Sequence, residues 1–368
     1  MYERIKHIIT SAAFLLVLFG FGILGIVQPD QAVSETERRP LAQLPSITGE
    51  NILSGKAMAD FGKYTVDQFP FRDQFRSLKA LTQYKIYGQK DNNGVYIAGD
   101  IVGKLEYPLK EDSTIRFAER INRVYEMYLK DNEKVFYTVV PDKNFFLAQR
   151  NGMPAMDYET QLELIQQNMP IGMQYIDILD TLSIDKYYRT DTHWRSEDLR
   201  DTVERIAKRM GFHDRMKYEY ESKILTNTFY GVYCGQAAIP LKADALTYIE
   251  NEVIRAAVVT DYDKNITGGV YYTDYQKELD AYAYFLNGSS SLITIENPLA
   301  DNNKELILFR DSFGSAIAPW FIEGYKKVTV IDIRYIMPET LGKMVSFDNA
   351  DVLFLYSTLV INNSETIK

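Results

Sequence analysis

Short runs built almost wholly from apolar, β-branched and aromatic residues, recurring between helix-length amphipathic stretches, limit this chain to few architectures. The clearest is residues 134–140, KVFYTVV, which lacks the polar alternation of a half-exposed strand and has the composition of one covered on both faces. Strand patterns also stand at 174–178, 291–296, 305–310, 327–332 and 351–356. Helical spacing occupies the intervals at 158–168, 196–210, 313–323 and 338–345, and Ser113 is placed to cap a helix whose apolar face includes Ile115, Ala118, Ile121, Val124 and Tyr128. This alternation predicts an α/β fold, a three-layer sandwich with a mainly parallel sheet. Residues 217–303 are less regular, with strand candidates at 255–259 and 270–273.

Residues 8–27 (IITSAAFLLVLFGFGILGIV) contain no charge and have the length of a helix that crosses a bilayer. The run exceeds the apolar core of a secretory signal and is followed by Gln28-Pro29-Asp30-Gln31-Ala32, so an uncleaved anchor is expected. Arg4 and Lys6 precede it, which keeps residues 1–7 cytoplasmic and the body outside, although Arg38 and Arg39 reduce the asymmetry. Residues 28–88 follow as a linker with Pro29, Pro40 and Pro45 and then membrane-proximal helices interrupted at Pro70, with Phe61 and Tyr64 on one and Phe75, Leu78, Leu81 and Tyr84 on the next. Residues 89–368 form the main domain.

Composition narrows the chemistry. A net charge of −9 disfavours a nucleic-acid partner, and neither GxxxxGK[ST] nor GxGxxG occurs. Cys234 is the single cysteine and only His193 and His213 lie beyond the anchor, so a four-ligand zinc site is not expected, nor is any cofactor. Asp261-Tyr262-Asp263-Lys264-Asn265 begins like a calcium loop but lacks the glycine at its sixth position and an acidic residue at its twelfth, and reads as a solvated turn. With 27 tyrosines, glycan stacking is open to the chain, though most such rings serve packing.

Two segments carry the chemistry. Ser312 follows the strand pattern at 305–310 and opens a helix, which puts it at the carboxyl edge of a sheet beside unpaired backbone N–H groups. A serine in that place is also an ordinary N-cap, with Asp311 as its rival for that role. His193 lies in Asp191-Thr192-His193-Trp194: a carboxylate two residues away can accept from Nδ1 and leave Nε2 for a hydroxyl. Trp194 either walls such a site or packs. His213, after a helix end in Gly211-Phe212-His213-Asp214, reads as part of a C-cap.

Asp191-Thr192-His193-Trp194, the Arg310-Asp311-Ser312 turn and Val140-Pro141-Asp142-Lys143 resemble the DHHW family and the related alginate O-acetyltransferase-like proteins of the SGNH hydrolase superfamily. Glu37-Arg38-Arg39-Pro40-Leu41-Ala42 resembles the family's ENRxLA segment and Asp67-Gln68-Phe69-Pro70-Phe71-Arg72-Asp73 its DxFPFRD segment. Phe285-Leu286-Asn287-Gly288 and Asp332-Ile333-Arg334-Tyr335 also fit. Thr192 departs from the second position of the DHHW tetrad.

The resemblance implies Ser312 as nucleophile, His193 as general base and acid, and Asp191 as orienter. It implies transfer or hydrolysis of acetyl groups on a cell-surface or secreted polysaccharide, with a membrane-bound O-acyltransferase as partner in delivering the acetyl donor. Candidate oxyanion donors are the Ser312 backbone N–H, Gly235 and Asn287; candidate substrate contacts are Trp194, Arg310, Lys143 and Tyr230. The alternative from another class is a non-catalytic polysaccharide-binding or assembly subunit.

Overall fold

The computed structural model describes residues 2–274 and 280–368, and the chain divides into two units, residues 1–92 with 235–240 and residues 93–234 with 241–368. The first unit begins with helix α1 (Tyr2–Val27), whose length and uncharged stretch over residues 8–27 suit it to crossing a membrane. Helices α2 (Lys56–Asp67) and α3 (Arg72–Leu81) follow, separated at Pro70 as the sequence predicts. The stretch after α1 is more ordered than a linker. Val33–Ser34 pairs antiparallel with Arg39–Pro40, and Asp67 joins the two family-like segments by accepting from Arg39 at 2.6 and 2.8 Å and from the Ala42 N–H at 2.9 Å. The Arg39 guanidinium holds the Asp67 carboxyl down at about 2. Glu37 in turn pairs with Arg72 at 2.5 Å and Arg76 at 3.2 Å.

The second unit is built on an eight-stranded sheet. Its elements, in chain order, are α4 (Glu111–Tyr128), β1 (Val135–Val140), α5 (Tyr158–Asn168), β2 (Met173–Tyr175), α6 (Arg200–Met210), β3 (Val258–Asp261), β4 (Ile266–Gly268), β5 (Leu292–Glu296), β6 (Glu305–Arg310), α7 (Phe313–Phe321), β7 (Lys327–Ile331) and β8 (Asp351–Ser357). The strand order is β4-β3-β5-β7-β6-β8-β1-β2. From β7 to β2 all neighbours are parallel, while β5, β3 and β4 join antiparallel at the other edge.

Every residue of β1 and β8 is buried, as their unbroken apolar composition requires. Alternate residues feed two cores. Leu306, Leu308, Leu353 and Leu355 pack with α6 and α7 through Val203, Ile206, Ile317 and Phe321. Ile307, Phe309, Val352 and Phe354 pack on the other face with α4 through Phe117, Ile121 and Val124. This is the three-layer α/β sandwich expected from the sequence.

Several local expectations need correction. Ser113 lies inside α4 rather than capping it, because its buried hydroxyl bonds to the Ile361 carbonyl and to Ser364. The helix expected from Ser196 starts at Arg200, after a 3₁₀ turn, and the Ser196 hydroxyl donates to the Ala316 carbonyl at 2.8 Å. Residues 270–273 supply one isolated bridge, Tyr271 to Phe285, in place of a strand. Glu221–Phe229 and Asp244–Glu250 form an antiparallel pair that the sequence left unassigned. Asp261 is buried rather than solvated, accepting from Asn287 at 2.8 Å and Ser290 at 2.6 Å.

Candidate active site

The parallel strand β6 delivers its last residues to the start of α7, and the turn between them is fixed by Asp311. One carboxylate oxygen accepts from the Phe313 N–H at 2.9 Å; the other accepts from the Ser357 N–H at 2.8 Å and its hydroxyl at 2.6 Å. Asp311 therefore takes the capping work, and Ser312, at the N-cap position, makes no side-chain capping bond. Its hydroxyl meets His193 instead: Oγ and Nε2 are 2.8 Å apart although 119 residues separate them in the chain.

His193 is held from three sides. Its Nδ1 lies 2.6 Å from Asp191 Oδ1, which also accepts the His193 backbone N–H at 3.0 Å. A carboxylate can only accept, so Nδ1 carries the proton and the Nε2 lone pair faces the serine. Asp191 Oδ2 accepts from the Val232 N–H at 2.9 Å. The Tyr282 ring lies flat on the imidazole, with centroids 3.9 Å apart and planes 8° from parallel. Imidazole and carboxylate are buried, while Ser312 is only partly covered, so the hydroxyl is the member of the array open to a substrate.

The loop that carries Asp191 and His193 has little regular structure and is stabilised by buried polar contacts. Lys143 Nζ donates to the carbonyls of Tyr188 at 2.8 Å, Arg189 at 3.0 Å and Asp191 at 3.0 Å. Burial pushes this lysine down to about 7, opposed by the negative charges of Asp191 and Asp244. Asp244 accepts from the Thr190 N–H and hydroxyl and from the Arg189 N–H. Gly231 lies so close that an added Cβ would come within 2.4 Å of the Asp191 backbone, so only glycine fits.

Of the residues proposed for substrate contact, three are inside the protein. Trp194 is fully buried, donates to the Phe313 carbonyl at 3.0 Å and packs edge-on to the Phe313 ring, which ties the histidine loop to α7. Lys143 is the clamp just described. Arg310 is buried under the turn with Nη1 3.5 Å from Asp332, a carboxylate that also binds Arg334 at 2.6 Å. Tyr230 alone is exposed, one residue before Gly231. Among the oxyanion candidates, the Ser312 N–H has no acceptor among the described residues. Asn287 turns its amide to Asp261 and Lys264, and Gly235 backs onto the Thr36 carbonyl while its own carbonyl accepts from Arg76. His213 is half-exposed; Gly211, in the left-handed conformation, ends α6 in its place.

Sequence reasoning missed Tyr282, Asp244 and Gly231. None belongs to a motif with a chemical signature. The only local signal is the aromatic repeat at residues 282–285, which reads as packing.

The arrangement defines a class: α/β proteins with a hydroxyl, an imidazole and a carboxylate aligned at the carboxyl edge of a parallel sheet. No protein-family model matches the chain, and no curated protein matches it in sequence. Solved structures do share its fold. A DHHW family protein from Eubacterium siraeum superposes with a TM-score of 0.58 at 19% identity, over 75% of this chain and 95% of that one. Bacillus cereus PatB1 superposes with a TM-score of 0.57 at 17% identity, over 73% of this chain and 96% of its own. PatB1 carrying a sulfonyl adduct gives the same TM-score of 0.57 at 16% identity. The sequence resemblance to the DHHW family is thus met by a DHHW family protein of the same fold.

Proposed function

We propose that the chain is a membrane-anchored extracytoplasmic O-acetyltransferase or acetylesterase that acts on polysaccharide through an acetyl-Ser312 intermediate. The observation that carries this reading is the 2.8 Å approach of Ser312 Oγ to a His193 whose other nitrogen is paired with Asp191. As Oγ attacks the acetyl carbonyl carbon, its proton passes to Nε2; the bond from that carbon to the donor oxygen then breaks and the proton leaves with the departing alcohol. An acceptor hydroxyl, from sugar or water, gives its proton to Nε2 and takes the acetyl group; the bond from the acetyl carbon to Oγ breaks and Nε2 returns the proton to Oγ, which restores the serine. The Ser312 N–H is the donor best placed to meet the oxyanion, and Tyr230 the side chain of the original four able to touch an acceptor. Transfer requires an acetyl donor, for which the family resemblance supplies a membrane-bound O-acyltransferase partner. Helix α1 serves as a single-pass anchor.

The test is release of p-nitrophenol from p-nitrophenyl acetate by the purified chain. Ser312→Ala and His193→Ala are each expected to reduce the rate by about 10³-fold or more. Equal rates in all three proteins would rule the enzyme out and leave a polysaccharide-binding subunit. Addition of an acetyl-free oligosaccharide, with acetylated product followed by mass spectrometry, separates transfer from hydrolysis.

A further inference from the structure

Helix α3 has its amphipathicity turned inside out. A soluble surface helix buries its apolar stripe and shows its charges to water. Here Phe75 and Leu78 form one stripe, continued backwards by Phe71, with Leu81 at its margin; these are 43%, 59%, 56% and 42% exposed. Two of the helix's charges are covered, while Lys79 is exposed at the flank of the stripe. Arg72 and Arg76 have side chains only 15% and 21% exposed because they pair with Glu37. The fold thus uses its ion pairs to seat the helix and leaves much of the aromatic stripe exposed, with Phe75 partly covered by Phe21 and Phe69.

The position of that stripe along α1 identifies what covers it. Phe21 stacks on Phe69 with centroids 5.4 Å apart and meets Phe75 edge-on at 5.6 Å. At about 1.5 Å per residue, Phe21 lies roughly 9 Å inside the C-terminal end of α1. If α1 spans the bilayer, the rings in contact with Phe21 stand at the depth of acyl chains. Aqueous solvent at that depth would leave phenylalanine faces wet for no gain, whereas lipid removes them from water at about 25 cal/mol per Å². An apolar groove lined by Val17, Phe21, Gly25, Phe61 and Phe69 runs beside the same contact.

We infer that α3 is a membrane-inserted foot: its stripe of Phe71, Phe75 and Leu78 lies among the acyl chains of the leaflet at the C-terminal end of α1, with the Glu37–Arg72–Arg76 network above it. This rests on the reading of α1 as a membrane span and is independent of the chemistry at Ser312. The foot gives the first unit two insertions in the bilayer, a spanning helix and an interfacial one.

The test uses the full chain reconstituted in phosphatidylcholine vesicles whose acyl chains carry bromine, a contact quencher of tryptophan. Phe75→Trp and Leu78→Trp report on the foot, Phe14→Trp on the span and Tyr335→Trp on the aqueous body; emission from native Trp194 and Trp320, both buried, is subtracted using the wild type. Both foot reporters are expected to lose most of their emission, with maximal quenching by bromines nearer the headgroup than those that best quench Phe14→Trp, while Tyr335→Trp is unaffected. Quenching of Phe14→Trp with none at positions 75 and 78 would overturn the foot and leave the span intact, assigning the stripe to a protein partner. Absence of quenching at position 14 as well would overturn both.

Discussion

The two halves of the site are held in place by different means. Ser312 stands on a turn between a fully paired central strand and a helix, so the backbone itself sets its position, and Asp311 adds three short bonds. His193 stands on a loop with almost no ladder of its own, and buried side chains do the equivalent work: Lys143 gathers three carbonyls, Asp244 holds Thr190 and Arg189, and Trp194 reaches across to Phe313. The serine half should tolerate loss of one side chain; the histidine half depends on a few. A loop fixed by buried side-chain hydrogen bonds can be aimed without conforming to a sheet, but its geometry fails when the side chains that make them are removed.

The most disruptive way to test this contrast is Lys143→Met. It removes the lysine donor from the carbonyls of Tyr188, Arg189 and Asp191, of which that of Arg189 keeps the Val102 N–H at 2.8 Å, and the expected cost is about 3 kcal/mol in denaturant unfolding, with esterase activity falling close to that of Ser312→Ala. Asp311→Asn attacks the serine half. It should cost about 2 kcal/mol yet retain far more activity per unit of lost stability, because strand and helix still locate Ser312. Equal activity loss at matched stability in these two variants would erase the distinction.

A pH series sharpens the same point. Burial lowers the folded-state value of Lys143 to about 7, while the unfolded lysine holds its proton up to its ordinary 10.5. Between those values the unfolded state binds more protons, so this group makes the folded protein more stable as pH rises from about 7, and contributes no slope below that. The slope approaches about 1.4 kcal/mol per pH unit and should vanish in Lys143→Met, measured as the difference in unfolding free energy between the two proteins. Identical slopes would mean that the lysine titrates normally.

The smallest expected effect is at Tyr282. A ring stacked on His193 favours the imidazolium formed during acyl transfer by about 1 kcal/mol. Tyr282→Leu should therefore lower kcat about fivefold with KM unchanged, and Tyr282→Phe, which keeps the ring, should restore most of it. Failure of the phenylalanine variant to restore the rate would assign the effect to packing.

The parallel part of the sheet was legible because strands buried on both faces have unbroken apolar runs, as in residues 135–140 and 351–357. The antiparallel pair Glu221–Phe229 and Asp244–Glu250 was not, since its first strand is largely exposed and polar and its register is interrupted by irregularities. At the site, Asp191, His193 and Ser312 stood out because their residue types and spacing carry a chemical meaning. Lys143 was noticed for its motif but assigned to substrate, because a sequence does not distinguish a lysine that contacts ligand from one that binds carbonyls from within. Tyr282 reaches His193 through tertiary packing alone, a relation that no local pattern encodes.

The account's central claim is an acetyl group on Ser312, and the direct measurement is an acid quench of the chain during turnover of p-nitrophenyl acetate, followed by peptide mass spectrometry. One acetyl mass on the peptide containing Ser312 in the wild type, absent from Ser312→Ala and accumulating far more slowly in His193→Ala, is the predicted result. Acetyl found on another residue, or in equal amount on the protein lacking the serine, would contradict it.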